Sequence, residues 1–572
     1  MQHPLLPLLL GALLLGPAIA QDADTPDGET TPLIQILAGE LDYSMQQLAS
    51  QGTPPYYLAY TITDMRRASI SGRLGALQTD DEDRRRLLDV DLRVGDYSLD
   101  NTRQIRGGRG FGGRGGVGGR AFGQVSLEDH PGAIKHALWR GTDRAYKSAV
   151  ERYQRVLTNL KTMVEEEQAA DDFSREEPSV SLEPEATLEL DREAWAALIR
   201  RVSGLALQYP LVYSSQVSLS ASAENRTMVT SEGTRLQTGR KLLRVSVSAS
   251  TKAEDGMDLS QSFIFNAAAE DGLPKEAELQ EAFQGVIDMV MALREAPLVE
   301  PYTGPAILLN RASGVFFHEI FGHRIEGHRQ KNVEEGQTFA KMIDDPVLPD
   351  FLDVYDDPTL PVFGGEALRG FYRFDDEGVP ASRVTLVDKG VLKTFLFSRS
   401  PLASFGNSNG HGRREPGNAA VSRQGNLMVT STRMLSFEAL RAKLIEECKK
   451  QEKPYGYLFK DITGGFTMTG RGGPQAFKVL PVVVYRVYAD GRPDELVRGV
   501  DIVGTPLSCF SKIICTGDDS AVFNGSCGAE SGWVPVSAIS PSLLVEQIEI
   551  EKRERSQERP PILDAPTGEE EK

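Results

Sequence analysis

One short segment, His318-Glu319-Ile320-Phe321-Gly322-His323, holds two imidazoles and a carboxylate directly after the first of them. A catalytic zinc site takes three protein ligands, commonly histidines, and keeps one position for water. A glutamate beside such ligands has the chemistry of a general base. The spacing is the difficulty. In the commoner arrangement the histidines stand at i and i+4, on one face of a helix. Here they stand at i and i+5, roughly 140° apart around a regular helix against roughly 40° for i+4, so an unbroken helix cannot aim both rings at one ion. Two geometries resolve this. A π-bulge between the histidines restores a common face, with Gly322 as the place for irregular backbone; it leaves Glu319 free to activate water and is the preferred reading. Alternatively Glu319 and His323, at i and i+4, form the ligand pair and His318 lies outside.

The elements that must position these residues follow from the flanking pattern. Val315, Phe316, Phe317, Ile320 and Phe321 surround the motif, which predicts a buried helix on which a charged glutamate needs a partner. Residues 305–310 (PAILLN) read as a buried strand feeding that helix, with Ser313 as its N-cap. Downstream, 382–397 reads as a hairpin turning at Asp388-Lys389-Gly390, 436–451 as a helix, and 479–504 as β-rich. Upstream, helical periodicity covers 33–50, and β-like runs cover 56–63, 67–77 and 87–97. A long helix is expected from 131 to about 169, an acidic linker over 171–189, and helices over 192–207 and 275–294. Strands are expected around 211–223, 226–231 and 242–250. The Gly/Arg run 103–123 is too rich in glycine to order cheaply and is expected to be a mobile loop. The expected fold class is α+β in two domains. A mixed N-terminal domain with long helices covers 30–296, a β-rich C-terminal domain covers 303–550, and a disordered charged tail covers 551–572.

Bulk composition narrows the function. The 572 residues carry 81 acidic against 63 basic side chains, a formal charge of −18, which repels nucleic acid and anionic membranes. No nucleic-acid partner is therefore expected, and the Gly/Arg run reads as a lid or insertion. Residues 1–20 are Leu-rich and end in Ala18-Ile19-Ala20, a pattern that predicts a signal peptide and export to the periplasm or outside the cell. No later tract is long enough to span a bilayer. The four cysteines, Cys448, Cys509, Cys515 and Cys527, lie in the last quarter of the chain and are too few for a disulfide scaffold. Whether Cys509 and Cys515 are bridged is left open, and Cys448 reads as a core thiol. Cys527, unpaired in an oxidising compartment, would be shielded by a bound metal.

The segments 318–327 (HEIFGHRIEG), 374–399 (FDDEGVPASRVTLVDKGVLKTFLFSR), 410–415 (GHGRRE) and 524–550 (NGSCGAESGWVPVSAISPSLLVEQIEI) together resemble the TldD/PmbA metallopeptidases. The likeness is strongest from 305 to about 550. It implies that His318, His323 and Cys527 bind zinc, that Glu319 is the catalytic carboxylate, and that the chain is of the zinc-bearing TldD type. It further implies a dimer, with itself or with a TldE-like subunit, hydrolysing unfolded or short peptides in an enclosed cavity. Two departures stand out: His328 replaces the family's usual acidic residue, and His411 replaces Asn in its Gly-Asn-Gly-Arg-Arg motif. Further candidates are Arg413 and Arg414 for a substrate carboxylate or carbonyl, His411 and His328 as oxyanion donors, and Glu326 as an acceptor holding a ligand imidazole. The rival readings are a non-catalytic partner or assembly subunit and a zinc hydrolase of non-peptide amides.

Overall fold

The computed structural model describes residues 31–105, 118–161, 170–331, 337–467, 477–504 and 509–553, together with 335, 469, 558–561 and 563. The expected leader, most of the Gly/Arg run and most of the charged tail lie outside those residues. The fold is α+β with a β-rich C-terminal region, as the sequence predicts.

The N-terminal sheet has seven strands. Pro55–Arg73 and Ala76–Val94 form one long hairpin, turning at Leu74 and Gly75, both with positive φ. The three short runs expected here are thus two 19-residue strands. Their distal half, from Ala76 to Arg86, is largely exposed, so no buried face imposes the alternation by which strands are read. In the same way the runs 211–223 and 226–231 are one strand, Ser214–Thr230, antiparallel to both Pro55–Arg73 and Arg235–Lys252. One face of the sheet is covered by four helices, Pro32–Leu48, Pro131–Leu160, Arg192–Ser203 and Glu276–Glu295. Ile62, Ile70 and Val217 pack under them. Side chains alternate across a strand, so Thr61, Thr63, Met65 and Arg67 point to the opposite face, which is left open to the C-terminal half.

The C-terminal half has an eight-stranded sheet that includes Tyr302–Leu308 and Tyr455–Thr467, and a six-stranded sheet that includes Ala521–Ala529 and Gly532–Ser540. The motif helix, Asn310–Ile320, is held between them, against Tyr455–Thr467 on one side and the Ala521–Ser540 hairpin on the other. Its apolar side chains explain the depth: Phe316 and Phe317 are at most 1% exposed and pack on Phe510 at ring separations of 5.9 and 5.7 Å. Ser313 does not cap this helix. It lies inside it, with Oγ 2.6 Å from Ser540 Oγ, while Leu309 occupies the N-cap position.

Three further boundaries differ from expectation. The acidic stretch 171–189 is a packed strap, because Phe173 is buried under the guanidiniums of Arg93 and Arg399, and Val180–Leu182 adds a strand to the sheet. Arg120–Gln124, expected in the Gly/Arg loop, pairs with Ala76–Val94. The final strand runs on through Lys552, and Arg553 pairs with Asp501 at 2.7 Å, so order extends past the expected start of the tail.

Candidate metal centre

The problem posed by i, i+5 is solved by ending the helix. Phe321 N–H still bonds the Phe317 carbonyl at 2.9 Å, after which Gly322–Arg324 forms a single tighter turn. There Arg324 N–H reaches Phe321 O at 2.9 Å and Ile325 N–H reaches Gly322 O at 3.2 Å. The expected π-bulge is therefore corrected: the backbone tightens into a 3₁₀ turn, and the redirected chain carries His323 back beside His318. Two side-chain contacts, one local and one remote, hold the break. The Arg324 guanidinium donates to the Ile320 and Glu319 carbonyls at 2.9 and 3.4 Å, a cation placed on the negative end of the helix. At Gly322 a Cβ would meet Gln424 Oε1 at 2.0 Å, so only glycine admits the Gln424 amide, which donates to His318 O at 3.4 Å.

The third donor arrives from 204 residues away. Cys527, on Ala521–Ala529, places Sγ 3.4 Å from His323 Nε2, and the donor atoms of His318, His323 and Cys527 all lie within 4.8 Å of one another. All three residues are at most 6% exposed. Burial would raise the Cys527 thiol, but His323, His318 and Arg423 outweigh it and hold the thiol well below its usual range. Against the opposing effect of burial, Cys527 and Glu326 push His323 up to about 10, and Cys527 raises His318. The two histidines and Arg423 thus favour the ionised form of this thiol. A thiolate with two imidazoles is a borderline-soft donor set that suits zinc, and Nδ1 of His318 is buried without a hydrogen-bond partner among the described residues. The residues fit a zinc ion.

Around the donors stands a buried ionic cluster. Glu326, fully buried, accepts from Arg329 Nε at 2.8 Å and sits 3.2 Å from His323 Nδ1. Arg423, also fully buried, lies 3.4 Å from Glu326 and donates to the Cys527 carbonyl at 2.8 Å. One guanidinium therefore ties the turn carrying His323 to the strand carrying Cys527. Sequence reasoning found Glu326 but missed Arg329 and Arg423. Nothing local marks an arginine in AVSRQGN as the link between two remote segments.

Glu319 is 8% exposed, with Oε2 3.9 Å from His323 Nε2. Its stem lies against Gly465, where a Cβ would meet Glu319 Cγ at 2.9 Å. His318, His323, Cys527 and Glu319 line a cavity of about 970 Å³, walled also by Arg244, Phe263, Thr467 and Trp533.

The other candidates are placed elsewhere. His411 is fully buried, its Nε2 3.3 Å from Asp356 and Nδ1 2.9 Å from Asn409 O. It is committed to the core and reaches no cleft. Arg413 donates to the Gln424 carbonyl at 2.6 Å and stacks on Tyr372, while Arg414 pairs with Asp89 at 2.8 Å. Both arginines face a second cavity, on the open side of the N-terminal sheet, so neither touches the metal cluster. His328 Nε2 is bonded to Glu530. All four cysteines are buried thiols, so Cys509 and Cys515 are not bridged.

Comparison with known proteins bears on the C-terminal half and on the fold. Residues 301–552 match the PmbA/TldA metallopeptidase C-terminal domain. A metalloprotease of Archaeoglobus fulgidus is 33% identical over 233 residues, covering 41% of this chain and 49% of that protein. A zinc metalloprotease TldD homolog of Saccharolobus solfataricus is 24% identical over 313 residues, covering 52% of this chain and 65% of that protein. The chain spans about half the length of the curated relatives it matches. The crystal structure of TldE from Thermococcus kodakarensis superposes with a TM-score of 0.60 at 15% identity, covering 90% of this chain and all of that one, which establishes a shared fold. Residues 301–552 thus match the C-terminal domain of the TldD/PmbA metallopeptidases, and the chain shares the fold of TldE.

Proposed function

We propose that the protein is a zinc-dependent metallopeptidase of the TldD type, exported, and acting on unfolded or short peptides. The observation that carries this reading is the convergence of His318, His323 and Cys527 at the wall of a large cavity, with the Glu319 carboxylate beside them. A zinc ion held by the three donors would supply Lewis acidity towards water and the scissile carbonyl. The chain's own residues supply the rest. Glu319 takes the proton of the attacking water on its carboxylate and delivers it to the leaving amine. Glu326 accepts at His323 Nδ1, which fixes the tautomer and leaves Nε2 directed at Cys527 Sγ. Arg423 keeps the cysteine strand in register with the motif turn.

A cavity of this size admits an extended peptide and excludes a folded domain. The likeness to TldE supports pairing with a second copy or with a TldE-like subunit. Metal quantification of the wild type beside Cys527→Ala tests the site: one zinc per chain is expected in the first and substoichiometric zinc in the second. Equal zinc in both would remove Cys527, and with it this centre.

A further inference from the structure

The second cavity, about 660 Å³, lies between the open face of the N-terminal sheet and the loops around 369–376 and 413–416. It shares Ser526 and Trp533 as walls with the metal cavity, so the two adjoin at the hairpin that carries Cys527. Its charge is opposite to that of the molecule. The chain carries a net −18, yet eight arginines line this cavity against five carboxylic acids.

Most of these arginines have partners. Arg226 is paired with Asp376, Arg414 with Asp89 at 2.8 Å, and Arg240 with Glu224 at 2.9 Å. Two guanidiniums where the cavities meet are different. Arg369 has no carboxylate partner among the described residues, and its Nε is buried without a hydrogen bond. Burial, with the neighbouring charges of Arg244 and Arg240, pushes it down to about 9. Among the described residues Arg244, on the wall of the metal cavity, bonds the neutral Asn266 side chain through Nε at 3.2 Å, and its Nη2 is buried without a partner. The position of Arg369 is fixed from the metal side, because its backbone N–H donates to Asn524 Oδ1 at 3.1 Å and Asn524 lines the metal cavity.

Like charges held together with their donors desolvated and unused are unfavourable unless an anion joins them. The planar guanidinium matches a carboxylate in bidentate fashion. We propose that Arg244 and Arg369 form a carboxylate-binding subsite beside the hydrolytic centre, which selects peptides bearing Asp, Glu or a free C-terminal carboxylate at a set distance from the cleaved bond. The inference rests on the peptidase reading and names its substrate class. The chain bound at the metal cavity continues past Trp533, and its carboxylate completes the Arg244–Arg369 pair.

The test separates this subsite from hydrolysis by measuring binding. Full-length, zinc-loaded Glu319→Gln protein is titrated with three fluorescent decapeptides: one with internal Glu and an amidated end, its Gln counterpart amidated, and the Gln counterpart with a free C-terminus. A carboxylate-bearing peptide is expected to bind at least about tenfold more tightly than the neutral one, and which of the two does so identifies the source of the carboxylate. Arg244→Gln with Arg369→Gln should bring that affinity down to the level of the neutral peptide. Equal binding of all three peptides, binding of none, or discrimination surviving in the double variant overturns the subsite. Discrimination with no cleavage by the wild-type enzyme would leave the subsite standing and reject only the hydrolytic reading.

Discussion

Replacing Glu326 by Gln isolates the part of the centre that is ionic and fully buried. Glu326 is 0% exposed and faces three cations: His323 at 3.2 Å, Arg329 at 2.8 Å and Arg423 at 3.4 Å. Glutamine keeps one carbonyl oxygen, which at the Oε2 position still accepts from His323 Nδ1 and Arg329 Nε, but it carries no charge and turns an amide donor towards Arg423, itself a donor. Removing one member of a buried ionic cluster costs about 3–5 kcal/mol, because the charges left behind stay desolvated. The imidazole also exchanges an anionic acceptor for a neutral one, and changes to such partners of a ligand lower metal affinity about 10–100-fold. The pH dependence has a definite sign. Burial would raise the Glu326 carboxyl, but His323, Arg329 and Arg423 hold it well below the usual carboxylate range. A depressed carboxylate stabilises above its unfolded pKa of about 4.3, and that stability is lost as pH falls towards the folded value. Denaturant unfolding of metal-free wild type and variant should therefore differ most near pH 6–7 and converge below pH 4. Zinc affinity is read separately by chelator competition. A variant that unfolds at the wild-type denaturant concentration and binds zinc within twofold of wild type would refute the role given to this carboxylate.

Three other outcomes follow from the same geometry. Glu319→Gln should lower peptide hydrolysis by about 10²–10⁴-fold while atomic absorption still finds zinc at wild-type stoichiometry. Gly465→Ala places a methyl 2.9 Å from Glu319 Cγ and 3.0 Å from Lys478 O; the carboxylate must shift, and kcat should drop at least about tenfold with zinc content unchanged. Arg399→Met, outside the metal cavity, breaks a 2.6 Å pair with Glu232 and removes one of the two guanidiniums over Phe173, so thermal unfolding should come earlier by the equivalent of about 3–5 kcal/mol.

The departures from expectation have a common cause. Hairpin 382–397 and helix 436–451 were legible because turn residues and an N-cap mark them locally: Lys389 and Gly390 take positive φ, and Ser436 Oγ accepts from Ala439 N–H. The strands Pro55–Arg73 and Ser214–Thr230 were read in fragments because their polar stretches face solvent or a basic cavity, where no apolar alternation is required. Arg413 and Arg414 looked like ligand-binding residues in sequence, but pairing with Gln424, Tyr372 and Asp89 gives them structural partners.

For the centre itself, sequence alone determined the chemistry: two imidazoles, an adjacent carboxylate and an odd spacing that forbids a regular helix, since the helical repeat fixes where each ring points. Whether that helix widens or stops is decided by Gln424, which arrives from a remote segment and crowds Gly322, while Arg324 in the turn itself caps the last carbonyls. Tertiary structure also chose the company of the thiolate, because a strand 204 residues away reaches His323 only when two sheets close around the motif helix and Arg423 joins them. Local sequence encodes dihedral preferences and donor types; which remote donors meet is set by how apolar faces pack.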